Sequence, residues 1–237
     1  MNDDLLLSVI VPAYNEVTTI EAVLRRLRQV PLRLEVVAVD DASTDGTSAL
    51  LDRLASEKLV DRVIHHPANR GKGAALRSGF AAATGAVIVP QDADLEYDPM
   101  DLPRLIGPIT EGRADAVYGS RFQGGPHRVL FFWHAVGNNF LTLVSNMFTN
   151  LNLTDMETCY KLVRAEVLKR LPLTAERFGI EVELTARLAQ AGARIWELPI
   201  SYSGRTYAEG KKITWRDGLA ALFHILRYNL FRPRRQA

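Results

Sequence analysis

The stretch from Ala86 to Pro99, AVIVPQDADLEYDP, joins an apolar run to a dense group of acids and amides. Its first half, Ala86 to Pro90, is an uninterrupted apolar run, which indicates a strand buried on both faces of a sheet. The second half carries Asp92, Asp94 and Glu96 at alternate positions, and such residues project to one side of an extended chain. Crowded carboxylates repel one another and resist burial unless a positive charge lies between them. The stretch therefore predicts a buried strand that ends at a cation, for which a metal ion is the candidate.

Apolar β-branched runs alternate with helix-period segments through the first half of the chain. The predicted strands are Leu6–Val11, Leu34–Val39, Arg62–His65, Ala86–Val89 and Ala116–Tyr118. The predicted helices lie near Thr19–Arg28, Thr47–Glu57, Gly73–Ala83 and Met100–Glu111, and a further helix and strand follow at Ile180–Gln190 and Ile195–Tyr202. This order is typical of parallel strands joined by crossover helices. We therefore expect an α/β fold with a Rossmann-like, mostly parallel central sheet flanked by helices.

Polar loops follow four of the predicted strands: PAYNE, DDASTDGT, PANRGKG and QDADLE. Because the carboxyl ends of parallel strands meet at one edge of a sheet, these loops should lie side by side. Solvated turns explain their Gly, Pro and Asn residues but not their acids. The loops therefore predict a ligand site.

The composition limits the class of protein. The chain has 237 residues, 47% of them hydrophobic and 24% charged, which fits one globular domain. A formal net charge of +2 argues against general nucleic-acid binding. The single Cys159 permits no intrachain disulfide and suits a reducing cytosol. The first residues carry acids where a secretory signal would carry bases, so we expect no export signal.

An Asp-x-Asp pair is weak evidence by itself, since phosphatases and ordinary loops also contain it. Hard divalent cations such as Mg²⁺ or Mn²⁺ take one or two carboxylates and complete their shell with water and a substrate diphosphate. The segment NRGKGAALRSG is not a Walker loop, because Gly73 follows Lys72 where Ser or Thr belongs. It is not a dinucleotide fingerprint either, because Leu76 stands where the third small residue belongs.

Five motifs in order decide the class. SVIVPAYNE, VDDASTDGT, NRGKGAALRSG, DADLEYDP and GSRF resemble the family 2 glycosyltransferases, in the branch of dolichyl- and polyprenyl-phosphate mannosyl- or glucosyltransferases. The resemblance covers roughly residues 6 to 212. It implies a glycosyltransferase A type fold in a single catalytic domain, residues 1–237. Residues 1–120 would form the nucleotide-sugar-binding half, 121–212 the acceptor half, and 213–237 a basic tail with a C-terminal amphipathic helix.

The resemblance also implies roles for single residues. Nucleotide-sugar binding is implied for Pro12, Tyr14, Glu16, Val39, Asp41, Lys72, Asp92, Ala93, Asp94 and Arg121. Catalysis is implied for Asp92, Asp94, Arg121, Arg205 and Lys211. Metal ligation is implied for Asp94 and Glu96, although relatives often have Gln at the second position. Many members of this branch also carry a Ser-Arg-Gly-Ala-Asn segment, which here reads HAVGNNF, so Arg128 is the candidate to supply the missing charge.

Three functions remain open on the sequence. The first is an inverting transfer of a hexose from GDP-mannose or UDP-glucose to a polyprenyl or dolichyl phosphate, which is already anionic and needs no general base. The second is transfer to a carbohydrate or soluble hydroxyl, with Asp155 or Glu157 as the base. The third is a non-catalytic nucleotide-sugar-binding subunit that serves a membrane protein. The sequence identifies neither the sugar nor the oligomeric state.

Two amphipathic stretches bear on location. Read as a helix, each stretch presents one apolar face. The first face consists of Val136, Phe140, Leu143, Val144, Met147 and Leu151. The second consists of Trp215, Leu219, Leu222, Phe223, Leu226 and Leu230. Asn138, Thr142, Ser145 and Thr149 lie opposite the first face. The second runs into Arg227, Arg232, Arg234 and Arg235, a pattern that suits an anionic membrane surface. We expect a cytoplasmic protein, peripherally associated with the inner face of the membrane, where it meets its lipid acceptor.

Overall fold

A central sheet organises the computed structural model, which describes residues 5–129, 131–177, 179–206, 209 and 215–231. Within these residues the sheet has seven strands in the order β3-β2-β1-β4-β6-β5-β7. The strands are β1 (Leu7–Ala13), β2 (Leu34–Asp40), β3 (Arg62–His65), β4 (Val87–Pro90), β5 (Ala116–Ser120), β6 (Lys161–Arg164) and β7 (Ile195–Pro199). The helices are α1 (Ile20–Leu27), α2 (Thr47–Ser56), α3 (Lys72–Ala82), α4 (Leu102–Leu105), α5 (Gly107–Thr110), α6 (Phe132–Thr149), α7 (Ala165–Leu168), α8 (Ile180–Gln190) and α9 (Trp215–Leu230).

The predicted α/β class and its parallel core are confirmed. Strand β1 pairs in parallel with both β2 and β4, and β2 pairs in parallel with β3. Strand β6 lies between β4 and β5 and is antiparallel to both. Strand β6 is not predicted from the sequence, because the four residues KLVR lie within a longer segment that shows no strand alternation.

The single helix expected near Met100–Glu111 is wrong. The segment instead forms a 3-10 turn at Pro99–Asp101 followed by the short helices α4 and α5. Pro103 and Pro108 stand in the first turns of α4 and α5, where a proline is tolerated. In the interior of one continuous helix, each would remove a backbone N–H donor and clash with the preceding turn.

Both faces of the sheet are buried, as its continuous apolar strands predict. Val9 packs with Leu24 in a cluster on one face, and Ile10 packs with Val37 and Phe80 on the other. Parallel sheets need this double cover because their crossover helices lie on both sides. The sheet is thus rigid where its carboxyl ends carry the polar loops.

The glycines of NRGKG serve close packing against the protein itself. A Cβ added at Gly71 would lie 2.6 Å from the carbonyl oxygen of Glu176, and one added at Gly73 would lie 2.5 Å from that of Ala175. Gly71 also has a φ of +91°, which disfavours residues with side chains. The start of α3 is therefore seated directly on the segment that precedes α8.

Helix α6 is amphipathic as predicted, but its polar side is the buried one. Thr142 and Ser145 are buried, whereas Phe140 is 54% exposed and Met147 is 76% exposed. On α9, Ile225 and Tyr228 are buried while Leu219 and Phe223 are exposed. The described segments contain no helix that combines the length and the apolar composition of a membrane span.

We predict that Gly73→Ala destabilises the protein, because the new methyl group would overlap the Ala175 carbonyl. Overpacking of this kind costs about 1–3 kcal/mol. Gly137→Ala is the matched control. Gly137 lies inside helix α6, and a Cβ added there meets nothing within 4 Å. Thermal unfolding should show a lower Tm for Gly73→Ala and an unchanged or higher Tm for Gly137→Ala. Equal Tm values for the two variants would contradict the close contact.

Candidate active site

Hydrogen bonds join the loops that follow β1 and β2. The backbone N–H of Asn15 donates to Ser43 Oγ at 3.1 Å, and that of Thr44 donates back to Asn15 Oδ1 at 2.8 Å. The N–H of Glu16 donates to Thr47 Oγ1 at 3.0 Å. The first two polar loops thus form one unit, as their shared sheet edge predicts.

Asp41 joins the second loop to the third. Its carboxylate accepts the backbone N–H groups of Arg70 at 3.0 Å and Gly71 at 2.6 Å, and His66 Nδ1 lies 2.7 Å away. Asp41 is buried, so these bonds form away from competing water. The residue predicted to bind the nucleotide therefore also holds the loop that carries Lys72.

Lys72 supplies the positive charge beside the first carboxylate of the acidic stretch. Its Nζ lies 2.7 Å from Asp92 Oδ1 and 2.8 Å from Glu181 Oε1. Although burial opposes its charge, the carboxylates of Asp92 and Glu181 raise the pKa of Lys72 well above its usual value. Lys72 is therefore a charged link between α3, the end of β4 and α8.

Arg205 supplies the positive charge beside the other two carboxylates. Its Nη2 donates to Asp94 Oδ2 at 2.6 Å, and its Nε donates to Glu96 Oε1 at 3.1 Å. Its Nη1 lies 4.0 Å from Glu16 Oε2, and Tyr202 Oη donates to Glu96 Oε2 at 2.8 Å. The carboxylates of Asp94 and Glu96 thus converge on one cationic group, which is the kind of partner the sequence requires.

Crowding leaves Asp94 electrostatically strained even with Arg205 beside it. Burial, together with the charges of Asp92 and Glu96, raises the pKa of Asp94 to about 7 against the lowering effect of Arg205. A carboxylate in such surroundings favours an additional positive charge.

Arg121 lies in a second buried ion pair next to the acidic stretch. Its Nε donates to Asp155 Oδ2 at 2.6 Å, its Nη2 donates to Asp155 Oδ1 at 2.7 Å, and its guanidinium lies 5.2 Å from the centre of the Tyr202 ring. Asn138 contacts both partners, accepting from Arg121 at 3.1 Å. Against the effect of burial, Asp155 raises the pKa of Arg121 well above its usual value. The Arg121 side chain is thus held in one orientation.

The remaining predicted residues divide into exposed and buried ones. Tyr14 is 42% exposed and Pro12 is half-buried at the end of β1, so both side chains are accessible at the loop edge. Val39 and Ala93 are buried in the two core clusters, which leaves their backbone atoms for any contact with a ligand.

Lys211 and Arg128 are the remaining basic residues for which the sequence predicts a role. Lys211 lies outside the described residues. Arg128, the candidate for the missing charge, lies 2.8 Å from Glu209 Oε2 and 3.3 Å from the carbonyl oxygen of Gly204. Its charge is thus paired within the protein.

Three residues that shape the site are not among those predicted from the sequence: Asn138, Glu181 and Tyr202. Glu181 left a signal, since it is an acid in the run FGIEVELTARLA, whose residues are otherwise largely apolar. Asn138 and Tyr202 left none, because their partners lie 17 and 106 residues away in the chain.

The fold and the site define a class of protein. The sheet, with its acidic strand end at the carboxyl edge, is that of a glycosyltransferase A type fold. The glucosyl-3-phosphoglycerate synthase of Mycobacterium tuberculosis, crystallised with Mn²⁺, UDP and glucosyl-3-phosphoglycerate, superposes with a TM-score of 0.75 at 22% identity. The match covers 98% of this chain and 82% of that one.

Sequence comparison narrows the class. The profile of Glycosyl transferase family 2 matches residues 8–171. The undecaprenyl-phosphate mannosyltransferase of Micrococcus luteus is 34% identical, covering 85% of this chain and 85% of its own. The polyprenol monophosphomannose synthase of Mycolicibacterium smegmatis is 31% identical, covering 86% of this chain and 79% of its own. The chain belongs to glycosyl transferase family 2 and is an enzyme, as the five motifs indicated.

We predict that Asp94→Ala abolishes glycosyl transfer and leaves the fold intact. Asp94 lies in a loop beyond β4 among like charges, so its loss relieves repulsion, and Arg205 keeps Glu96 as a carboxylate partner. The measurement is initial transfer rate together with Tm, and Asp98→Asn is the control, because Asn can still accept the Met100 N–H that Asp98 caps. Near-normal turnover of the Asp94→Ala variant would show that Asp94 has no role in the reaction.

Proposed function

We propose that this enzyme transfers a hexose from a nucleotide diphosphate sugar, GDP-mannose or UDP-glucose, to a polyprenyl phosphate, with inversion at the anomeric carbon. The observation that carries the proposal is similarity over at least 85% of the chain to two proteins named for mannose transfer to polyprenyl phosphates. The built site supports it, because transfer from a diphosphate requires that the negative charge of the leaving group be neutralised.

We further propose that Asp94 and Glu96 hold a divalent metal ion, Mg²⁺ or Mn²⁺. Their oxygens converge on a single cation, the Arg205 guanidinium, so the donor set fits a hard metal. Within the described residues, no group of three or more His, Cys, Asp and Glu side chains could hold a metal ion. Water and the diphosphate would therefore complete the shell, as is common for Mg²⁺. The bound ion would neutralise charge on the leaving group.

The chain's own residues would then orient the two substrates. Arg205, once freed from Asp94 and Glu96, would have its guanidinium available to bind the diphosphate. Arg121 is held by Asp155, so its orientation is set before substrate arrives. Tyr14 and Glu16 would border the nucleotide, and Asp92, fixed by Lys72, would contact the donor.

The two candidate bases for a hydroxyl acceptor differ in the structure. Both carboxylate oxygens of Asp155 bind Arg121 and the side chain is fully buried, so it is poorly placed to receive a proton. Glu157 has a buried Oε1 without a hydrogen-bond partner among the described residues. Burial and the charge of Glu181 raise the pKa of Glu157 to about 7, which suits a general base. Glu157 therefore keeps transfer to a hydroxyl as a second candidate function.

We predict that transfer requires polyprenyl phosphate and survives Glu157→Gln, because a phosphate nucleophile needs no base. Purified protein with Mn²⁺ and labelled GDP-mannose or UDP-glucose is assayed with and without a short polyprenyl phosphate. A chelator should stop the reaction. Glu157→Gln should lower the rate far less than the factor of roughly 10² to 10⁴ that loss of a general base causes.

The same assay can contradict the proposal. Transfer to a soluble hydroxyl that Glu157→Gln reduces by such a factor would establish the second candidate. Absence of transfer with either donor, despite measurable binding of GDP or UDP, would leave only nucleotide-sugar binding. Glu166→Gln, an exposed acid on α7, is the matched control for the substitution.

We also propose that the enzyme is a peripheral protein of the inner face of the membrane, which it contacts through α6 and α9. Exposed large apolar side chains concentrate on these two helices: Phe132, Trp133, Phe140, Leu143, Met147, Leu219, Phe223, Leu226 and Leu230. Soluble surfaces rarely carry so many together. The chain continues from α9 into a segment with three arginines, and each basic residue near an anionic leaflet adds about 1 kcal/mol.

We predict that truncation after Tyr228 weakens binding to anionic vesicles and leaves nucleotide-sugar binding unchanged. The double variant Leu143→Asn and Met147→Asn should also weaken vesicle binding, because both side chains are exposed on α6. Flotation at low salt with phosphatidylglycerol vesicles is the measurement, and Glu166→Gln is the control. Equal flotation of all variants would exclude a membrane contact through this face. A shift of the double variant from dimer to monomer on gel filtration would show that the face instead binds a second copy of the chain.

A further inference from the structure

Glu181 is a buried acid whose contacts point to a function rather than to packing. It lies in the first turn of α8, with its Oε1 2.8 Å from Lys72 Nζ. Its other oxygen, Oε2, is buried without a hydrogen-bond partner among the described residues. Burying a carboxylate that is only half satisfied costs free energy. The contact with the Lys72 ammonium is therefore the interaction to which we attribute the function of Glu181.

The neighbouring acid on α8 makes the contrast clear. Glu183 accepts the backbone N–H groups of Thr174 and Ala175, both at 2.7 Å, and so anchors the segment before α8. Among the residues that the structure describes, the Glu181 carboxylate makes no such backbone contact. Glu183 thus stabilises the local backbone, whereas the Glu181 carboxylate contacts the Lys72 ammonium.

The surroundings fix Lys72 from both sides. The segment that Glu183 anchors packs against Gly71 and Gly73, the residues on either side of Lys72. The Lys72 ammonium lies between Glu181 and Asp92, and Asp92 opens the acidic stretch at the end of β4. Displacement of the ammonium would remove the charged partner of Asp92 and leave its side chain in contact, within the described part of the chain, with Cys159 alone.

We propose that Glu181 is a positioning residue for sugar transfer: it holds the Lys72 ammonium against Asp92, so that Asp92 meets the donor in one orientation. Lys72 then acts through Asp92. This inference rests on the proposed function, since it assigns Glu181 to the donor side of that site.

The test is a double-mutant cycle of Lys72→Met and Glu181→Gln. The affinity for GDP-mannose and UDP-glucose is measured by calorimetry with Mn²⁺, and kcat and KM are measured in the transfer assay. Each single variant should lose on the order of tenfold in donor affinity or kcat/KM, and the double variant should match Lys72→Met alone. Glu166→Gln should match the wild type.

Additive losses would show that Glu181 acts on the donor independently of Lys72, and wild-type values for Glu181→Gln would show that it has no role. Either result overturns the proposal. If Glu181→Gln does not fold, Glu181→Asp replaces it in the cycle, because it keeps the charge and withdraws it from Lys72. Calorimetry reports on the cycle even if no transfer is detected, which separates this inference from the proposed function.

Discussion

Repulsion among three carboxylates at the end of β4 is the constraint on which the rest of the site depends. Asp92, Asp94 and Glu96 can share one loop only because cations from other parts of the chain lie beside them. Lys72 comes from the start of α3, and Arg205 comes from the segment beyond β7. The acidic stretch therefore links both halves of the fold to one sheet edge.

That link gives the loops a defined arrangement before any substrate is present. Asp41 holds the backbone at Arg70 and Gly71, so Lys72 begins α3 from a fixed position. Asp155 likewise holds the side chain of Arg121 in one orientation. Charged groups that folding has already oriented do not have to be reorganised when the substrates react. The free-energy barrier of the reaction is therefore lower.

Helix α6 connects this chemistry to the outer surface. Its polar side binds inward: Asn138 contacts Arg121 and Asp155, and Thr142 accepts the backbone N–H of Met156 at 3.1 Å. Its apolar side faces outward next to α9, with which it is in contact. One helix thus supports an ion pair of the candidate site and presents the exposed apolar surface for which we propose a membrane contact.

The α/β class, the parallel strands and the acids at the strand end can be predicted from the sequence, because burial on both faces and the Asp-x-Asp spacing are local patterns. The sequence also indicates that a cation is needed. Which groups supply that charge in the described residues depends on the folded arrangement, since Arg205 lies 111 residues from Asp94 and no local pattern relates them. The same holds for the antiparallel β6, for Glu181 beside Lys72 and for the inward polar face of α6. Each of these depends on contacts between distant segments, and their energies are set by burial and charge at the point where the folded chain brings them together.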